Sequence, residues 1–346
     1  MNETTQELHL IKMSEVEVKE VEWLFYPYIP YGKLTILQGD PGEGKTTVIL
    51  HIIAKLTNGE SLERIVNRRE DTGETSKNDS VKQNPVTVIY QTAEDGLADT
   101  IKPRLLSAGA DCSRVLVIDE SGKLLTMQDD RLELAIKATG ARLVVLDPIQ
   151  GYLGSGVDMH RANEIRPIMQ HLSILAERYQ CAIVLIGHMN KNSMTNKAAY
   201  RGLGSIDLAA AARSMLLCAR LQSDPQVRVL CQTKNSLAPE AKSIAFYLSE
   251  ENGLEWIGEY DISADDLLRD TSQYNKCDAA KKFLERLFQD CKQKNQGCHQ
   301  GCQLPMSGIL ERALKENITK RTLMRAKAEM PIKSRKIGNQ WYWCME

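Results

Sequence analysis

KLTILQGDPGEGKT, residues 33–46, carries the strongest signal in the chain. KLTILQ is a β-rich apolar run, and Gly39-Asp40-Pro41-Gly42-Glu43-Gly44-Lys45-Thr46 satisfies G-x-x-x-x-G-K-[ST] between that strand and a helix predicted over residues 46–57. Strand, glycine-rich loop and helix in this order make a phosphate cradle. The glycines let backbone N–H groups wrap phosphate oxygens, and the helix N-terminus favours negative charge. Lys45 reaches the β and γ oxygens, and the Thr46 hydroxyl is a ligand for Mg²⁺. The predicted nucleotide contacts are Gly39, Pro41, Gly42, Glu43, Gly44, Lys45, Thr46 and Thr47, with ATP and Mg²⁺ as cofactors.

Further β-rich runs follow up to about residue 248: VTVIYQ, RVLVID, RLVVLD, CAIVLIGH, SMLLCA, VRVLCQ and SIAFYL. Helical patterns such as residues 46–57 and 162–179 separate the early runs, whereas the last runs follow one another closely. The fold class this predicts is α/β: a mainly parallel sheet, helices on both faces and an antiparallel edge. Ligands collect at the carboxyl ends of such strands, so the residues that end them are the candidate catalysts. RLVVLD ends on Asp147, placed to hold Mg²⁺ through water. Pro148 follows it, so the residue after the metal acid is not the base. Glu94, in Gln91-Thr92-Ala93-Glu94-Asp95 at the end of VTVIYQ, is the candidate base; the alternative for Glu94 and Asp95 is a helix cap. CAIVLIGH delivers His188 to the same edge, where it can sense the γ-phosphate and signal to the polar loop 189–201, or merely cap.

The predicted domains are an N-terminal segment 1–32, an ATPase domain 33–260, a linker 261–275 and a DNA-binding module 276–346. Residues 23–27 are expected to pack against the first strand or a neighbouring subunit, and the polar stretch 71–85 reads as a surface loop. In the tail, helical patterns over 276–290, 307–315 and 320–330 precede a hairpin turning at Gly338-Asn339, which together read as a small winged helix-turn-helix. Residues 311–346 hold nine Lys or Arg against four Glu, a net of +5 in a chain whose total is −1. A basic module on an acidic body suits contact with duplex DNA. The predicted contacts are Lys320, Arg321, Arg325 and Lys327 on the third helix and Lys333, Arg335 and Lys336 on the wing; docking to protein is the competing reading.

The first 22 residues are acidic and mixed, and no apolar run approaches the roughly 18 residues of a membrane span, which predicts a cytoplasmic protein without a membrane partner. The nine cysteines read as reduced, several of them in the core, with no structural disulfide. Cys291, Cys298, His299 and Cys302 leave a zinc site open, although C-x6-C-H-x2-C is not a regular structural pattern. In Trp341-Tyr342-Trp343 the packing strand of the wing and a stacking platform for bases both stay open.

GDPGEGKT, QTAED, LVVLDP, IGHMNK and YRGLGSIDLAAAARS, in this order and spacing, resemble the RecA-like ATPases of the RepA hexameric helicase type. The resemblance covers roughly residues 23–248. It implies a homo-oligomer, normally a hexameric ring, with ATP between neighbours and single-stranded DNA through the centre. By that resemblance Lys45 and Thr46 are the phosphate-loop pair, Glu94 is the catalytic base, Asp147 the metal acid and His188 the sensor. Arg213 matches the arginine finger that enters the neighbour's site, with Lys234 as a rival cation. The basic tail departs from that pattern, so its role does not carry over. The implied function is a replicative helicase or helicase loader of a plasmid, phage or integrated element; the alternative is a regulatory ATP switch that binds DNA and unwinds little.

Overall fold

The computed structural model describes residues 10–66, 83–159, 161–188, 206–221, 224–249, 253–268, 271–294, 303–316, 318–338 and 340–345. The chain divides into two compact units, residues 1–268 and 269–346.

The first unit opens with the short strands β1 (Trp23–Phe25) and β2 (Ile29–Pro30), then β3 (Leu34–Gly39), α1 (Lys45–Thr57) and α2 (Glu63–Val66). Next come β4 (Val88–Thr92), α3 (Lys102–Ser107), β5 (Val115–Leu116), α4 (Asp130–Thr139), β6 (Leu143–Asp147), α5 (Ala162–Tyr179) and β7 (Ala182–His188). It closes with α6 (Ile206–Ala211), β8 (Ser214–Arg220), β9 (Val227–Asn235), β10 (Ser243–Ser249), β11 (Gly253–Tyr260) and α7 (Ala264–Leu268). Nine strands form one sheet in the order β11-β10-β9-β8-β3-β7-β6-β4-β5. From β8 to β5 all pairings are parallel; β8 to β11 pair antiparallel. The core is therefore the RecA-like α/β fold, with the phosphate-loop strand in the interior of its sheet.

That position explains the composition of β3, which is buried at all six residues because helices cover both faces. Leu37 packs with Val48, Ile49, Ile52 and Ile53 of α1, while Leu34 and Ile36 pack with Ile165, Ile168, Leu172 and Leu175 of α5. Two strand readings needed correction. RVLVID shortens to the two-residue β5 at the sheet edge, and GLEWIGEY, which has no apolar run, is the strand β11. The segment around β1 and β2 packs on its own sheet: Tyr28 Oη donates to the Lys242 carbonyl at 2.7 Å, and Ser214 Oγ donates to the Tyr28 carbonyl at 2.6 Å.

The second unit comprises α8 (Thr271–Lys294), β12 (Gln303–Pro305), α9 (Met306–Lys315), α10 (Lys320–Ala328), β13 (Ile332–Ile337) and β14 (Gln340–Met345). Its three strands pair antiparallel in the order β12-β14-β13. Thr319 caps α10 by accepting from the Thr322 N–H, and Gly338 takes φ +59° in the hairpin turn. Alternation along β14 sends Trp343 into the core (0% exposed) and leaves Trp341 half exposed. Phe283, Leu284, Phe288, Leu323 and Ile332 surround Trp343, so Trp343→Ala should destabilise this small unit by about 3–5 kcal/mol. Chemical denaturation followed by far-ultraviolet dichroism checks this, and an unshifted transition would contradict it.

Cys181, Cys218 and Cys231 are free and buried, but Cys291 is disulfide-bonded, which corrects the expectation of reduced cysteines throughout. Compartment argues for reduced thiols, whereas spacing in the fold is what permits a bridge. Cys298, His299 and Cys302, the loop 189–201 and most of 71–85 lie outside the described residues. Among the described residues no group of His, Cys, Asp or Glu is placed to hold a metal ion, and no helix is long and apolar enough to cross a membrane.

Candidate functional site

Gly39 ends β3 against the neighbouring strand so closely that a Cβ there would lie 2.2 Å from the Cys218 carbonyl oxygen. Only glycine passes. Gly44 precedes α1 at φ +91°, a left-handed conformation that turns the loop into the helix and that side chains other than glycine resist. Pro41 and Gly42 are exposed; Glu43, Gly44, Thr46 and Thr47 are partly so. The first turn of α1 thus opens its N–H groups toward the loop's concave side. Lys45 is 5% exposed, and its Nζ donates to the carbonyls of Gly39 and Asp40, at 2.9 Å each. Burial lowers the Lys45 pKa from its ordinary value, with nearby acids opposing the shift, so an anion arriving here gains a poorly solvated partner.

Asp147 ends β6 beside this lysine. Its Oδ2 accepts two hydroxyl hydrogens, from Thr46 Oγ1 at 2.8 Å and from Tyr90 Oη at 2.8 Å. Burial raises the Asp147 pKa; the Thr46 and Tyr90 hydroxyls and then Lys45 act in the opposite direction. Burial likewise raises the Tyr90 pKa, so its phenol stays a donor. The residues fit Mg²⁺, since the Thr46 hydroxyl and the Asp147 carboxylate are hard oxygen donors that already touch. When bound, Mg²⁺ supplies charge neutralisation on the β and γ oxygens of the nucleotide.

Parallel pairing sets the remaining groups in register. Thr92 pairs with Asp147 and Gly39 pairs with His188, which brings Glu94, two residues beyond β4, to the same edge. His188 Nδ1 lies 3.3 Å from Lys45 Nζ, and His188 Nε2 lies 3.8 Å from Glu94 Oε2. The Lys45 ammonium thus lies on the Nδ1 side of the ring and the Glu94 carboxylate on its Nε2 side. The Glu94 side chain is 64% exposed, open to a water between it and the cradle. Asp95 is engaged elsewhere: its N–H donates to Thr92 Oγ1, and its carboxylate pairs with Arg104 at 3.2 Å. Lys45, Thr46, Glu94, Asp147 and His188 therefore meet at the carboxyl ends of β3, β4, β6 and β7.

Arg213 is exposed and sits at the other end of the sheet, its N–H donating to the carbonyl of Leu34, the first residue of β3. The rise of a strand puts it about 16 Å from the loop that ends β3. Lys234 Nζ instead donates to the carbonyls of Ala209 at 2.6 Å and Ala212 at 2.7 Å, where it caps α6. Lys234 is thus engaged locally, whereas the Arg213 side chain is exposed.

Several residues near the site have no role assigned by the sequence. Tyr90 is one. Arg228, cross-strand partner of Arg220, packs its Cδ 3.3 Å from where a Cβ on Gly44 would fall, and Arg220 Nε is 3.8 Å from Glu43 Oε1. Gln91 anchors the strand before Glu94, donating to Glu120 Oε1 at 2.8 Å and accepting the Ile118 N–H at 2.6 Å. The signal for Tyr90 is its hydroxyl at the end of the buried apolar run Val88-Ile89-Tyr90, since a buried phenol needs a partner.

In the second unit Lys320, Lys333, Arg335 and Lys336 are exposed. Lys327 differs: its Nζ donates to Ser334 Oγ at 2.6 Å and lies 5.0 Å from the Trp343 ring centroid, so its charge is partly spent within the unit. Arg321 and Arg325 lie on α10, with side chains outside those described.

Comparison with protein families matches residues 3–194 to the family described as AAA domain. Comparison with curated proteins gives no match. Among solved structures the chain is similar to the KaiC-like protein PH0186 of the hyperthermophilic archaeon Pyrococcus horikoshii OT3, with 16% identity and a TM-score of 0.44, over 66% of this chain and 90% of that one.

Proposed function

The chain belongs to the AAA domain family, and we propose that it is a Mg²⁺-dependent ATPase that acts on DNA, as a replicative helicase or helicase loader of a mobile element. The observation that carries the hydrolytic half is the meeting of Lys45, Thr46, Glu94, Asp147 and His188 at one sheet edge. In this reading Lys45 and the loop N–H groups hold the phosphates, and Thr46 and Asp147 hold the metal, the latter through water. Glu94 takes the proton of the attacking water, and His188, between Lys45 and Glu94, reports whether the γ-phosphate is present. Arg213 acts in a neighbour's site, which makes the active species a ring.

The DNA half rests on the second unit, read as a winged helix. It has helix, strand, two helices and a hairpin in that order, and Lys333, Arg335 and Lys336 project from the first hairpin strand. α10 would enter the major groove and the hairpin would follow the backbone. Full-length protein titrated with labelled duplex DNA at two salt concentrations tests this. Binding should weaken steeply with salt, and Lys333→Ala/Arg335→Ala/Lys336→Ala should flatten the slope by roughly 0.9 for each phosphate no longer neutralised. A slope equal to the native one, or no binding at low salt, would refute the assignment. Strand displacement with ATP but not with a non-hydrolysable analogue is the result expected of a motor.

A further inference from the structure

We propose that Tyr90 is a positioning residue for the metal acid: its hydroxyl fixes the Asp147 carboxylate in the orientation that receives nucleotide-bound Mg²⁺. The inference rests on the ATPase reading above and adds to it a residue that no motif contains.

Tyr90 is fully buried at the third position of β4, and Val88 and Ile89 on the same strand are equally enclosed. A phenol placed there loses its hydration and needs a hydrogen-bond acceptor in return. The acceptor is Asp147 Oδ2, at 2.8 Å. The same oxygen accepts from Thr46 Oγ1, so Oδ2 takes two hydrogen bonds and Oδ1 would be the atom that meets the metal's water.

The two donors are not equivalent. Thr46 sits in the first turn of α1, on the cradle itself, and its hydroxyl oxygen would also be a ligand of the metal. Tyr90 sits on a strand held by parallel pairing to β6 along its whole length and to β5 at Val88 and Ile89. Tyr90 pairs with Val145 and Thr92 with Asp147, while the Ala93 N–H donates to the Asp147 carbonyl at 3.0 Å. Backbone and side chain of the acid are thus both tied to the strand that leads to Glu94. Without the phenol, rotation about the carboxylate's Cβ–Cγ bond breaks one hydrogen bond rather than two.

Tyr90→Phe keeps the ring in the core and removes only the donor, and Tyr90→Met serves as a second variant without a hydroxyl. Mg²⁺ titrated into each protein with a fluorescent ATP analogue gives the half-saturating Mg²⁺ without any turnover. Outer-shell partners of metal ligands typically contribute 10–100-fold to affinity, so the Mg²⁺ requirement should rise about 10-fold. Nucleotide affinity in chelator should stay at the native value. In an Asp147→Ala background the further change Tyr90→Phe should shift the requirement by less than about twofold, because the acceptor of the Tyr90 hydroxyl has already been removed. A purely structural role would lower thermal stability and leave the Mg²⁺ requirement unchanged. An unchanged requirement in the folded variants overturns the positioning role and leaves the ATPase reading standing. Native protein whose nucleotide binding ignores Mg²⁺ overturns the ATPase reading, and this inference with it.

Discussion

Glu94→Gln should bind ATP as the native chain does and turn it over about 100-fold or more slowly. The substitution preserves size and polarity but removes the proton acceptor, and it leaves the cradle of Gly39, Gly44, Lys45 and Thr46 untouched. Glu94 is exposed at the rim, 3.8 Å from His188, so no buried network has to reorganise around the amide. Equilibrium binding of a fluorescent nucleotide beside single-turnover phosphate release separates the two steps. Turnover within a few-fold of native would remove Glu94 from the role of base, and loss of binding would make it a ligand instead.

Arg213→Ala should lower turnover by about 10³-fold or more if the guanidinium stabilises the transition state, as arginine fingers do. Its placement makes the effect depend on assembly. Arg213 stands beside the start of β3 while the phosphate loop follows its end, about 16 Å away, so it cannot serve its own site. Mixing Arg213→Ala with Glu94→Gln subunits places an intact finger against an intact base at some interfaces, and part of the activity should return. No recovery at any mixing ratio, in rings shown to contain both subunits, would exclude the finger.

The phosphate loop was readable from sequence because its chemistry is local: two glycines, a lysine and a threonine at fixed spacing between a strand and a helix. Asp147 and His188 were readable because each ends an apolar run, and run ends face the ligand edge of a parallel sheet. The strand order was not readable. Nothing in CAIVLIGH says that it lies between the phosphate-loop strand and RLVVLD, because that adjacency arises from crossover packing on both faces. GLEWIGEY was missed because an edge strand exposed on one face needs no continuous apolar run. Tyr90 looked like one more core residue, since its partner is 57 positions away. Lys234 looked like a second free cation until its contacts with the end of α6 placed it.

Whether this edge of the sheet hydrolyses Mg²⁺-bound ATP, with Lys45 holding the phosphates, is decided by steady-state phosphate release. The native protein and Lys45→Ala are compared, each with Mg²⁺ and with chelator. Release is expected from the native protein only with Mg²⁺, stimulated by DNA, and none above background is expected from Lys45→Ala. Release by Lys45→Ala at the native rate, or no release by native protein with Mg²⁺ and DNA present, would contradict the assignment.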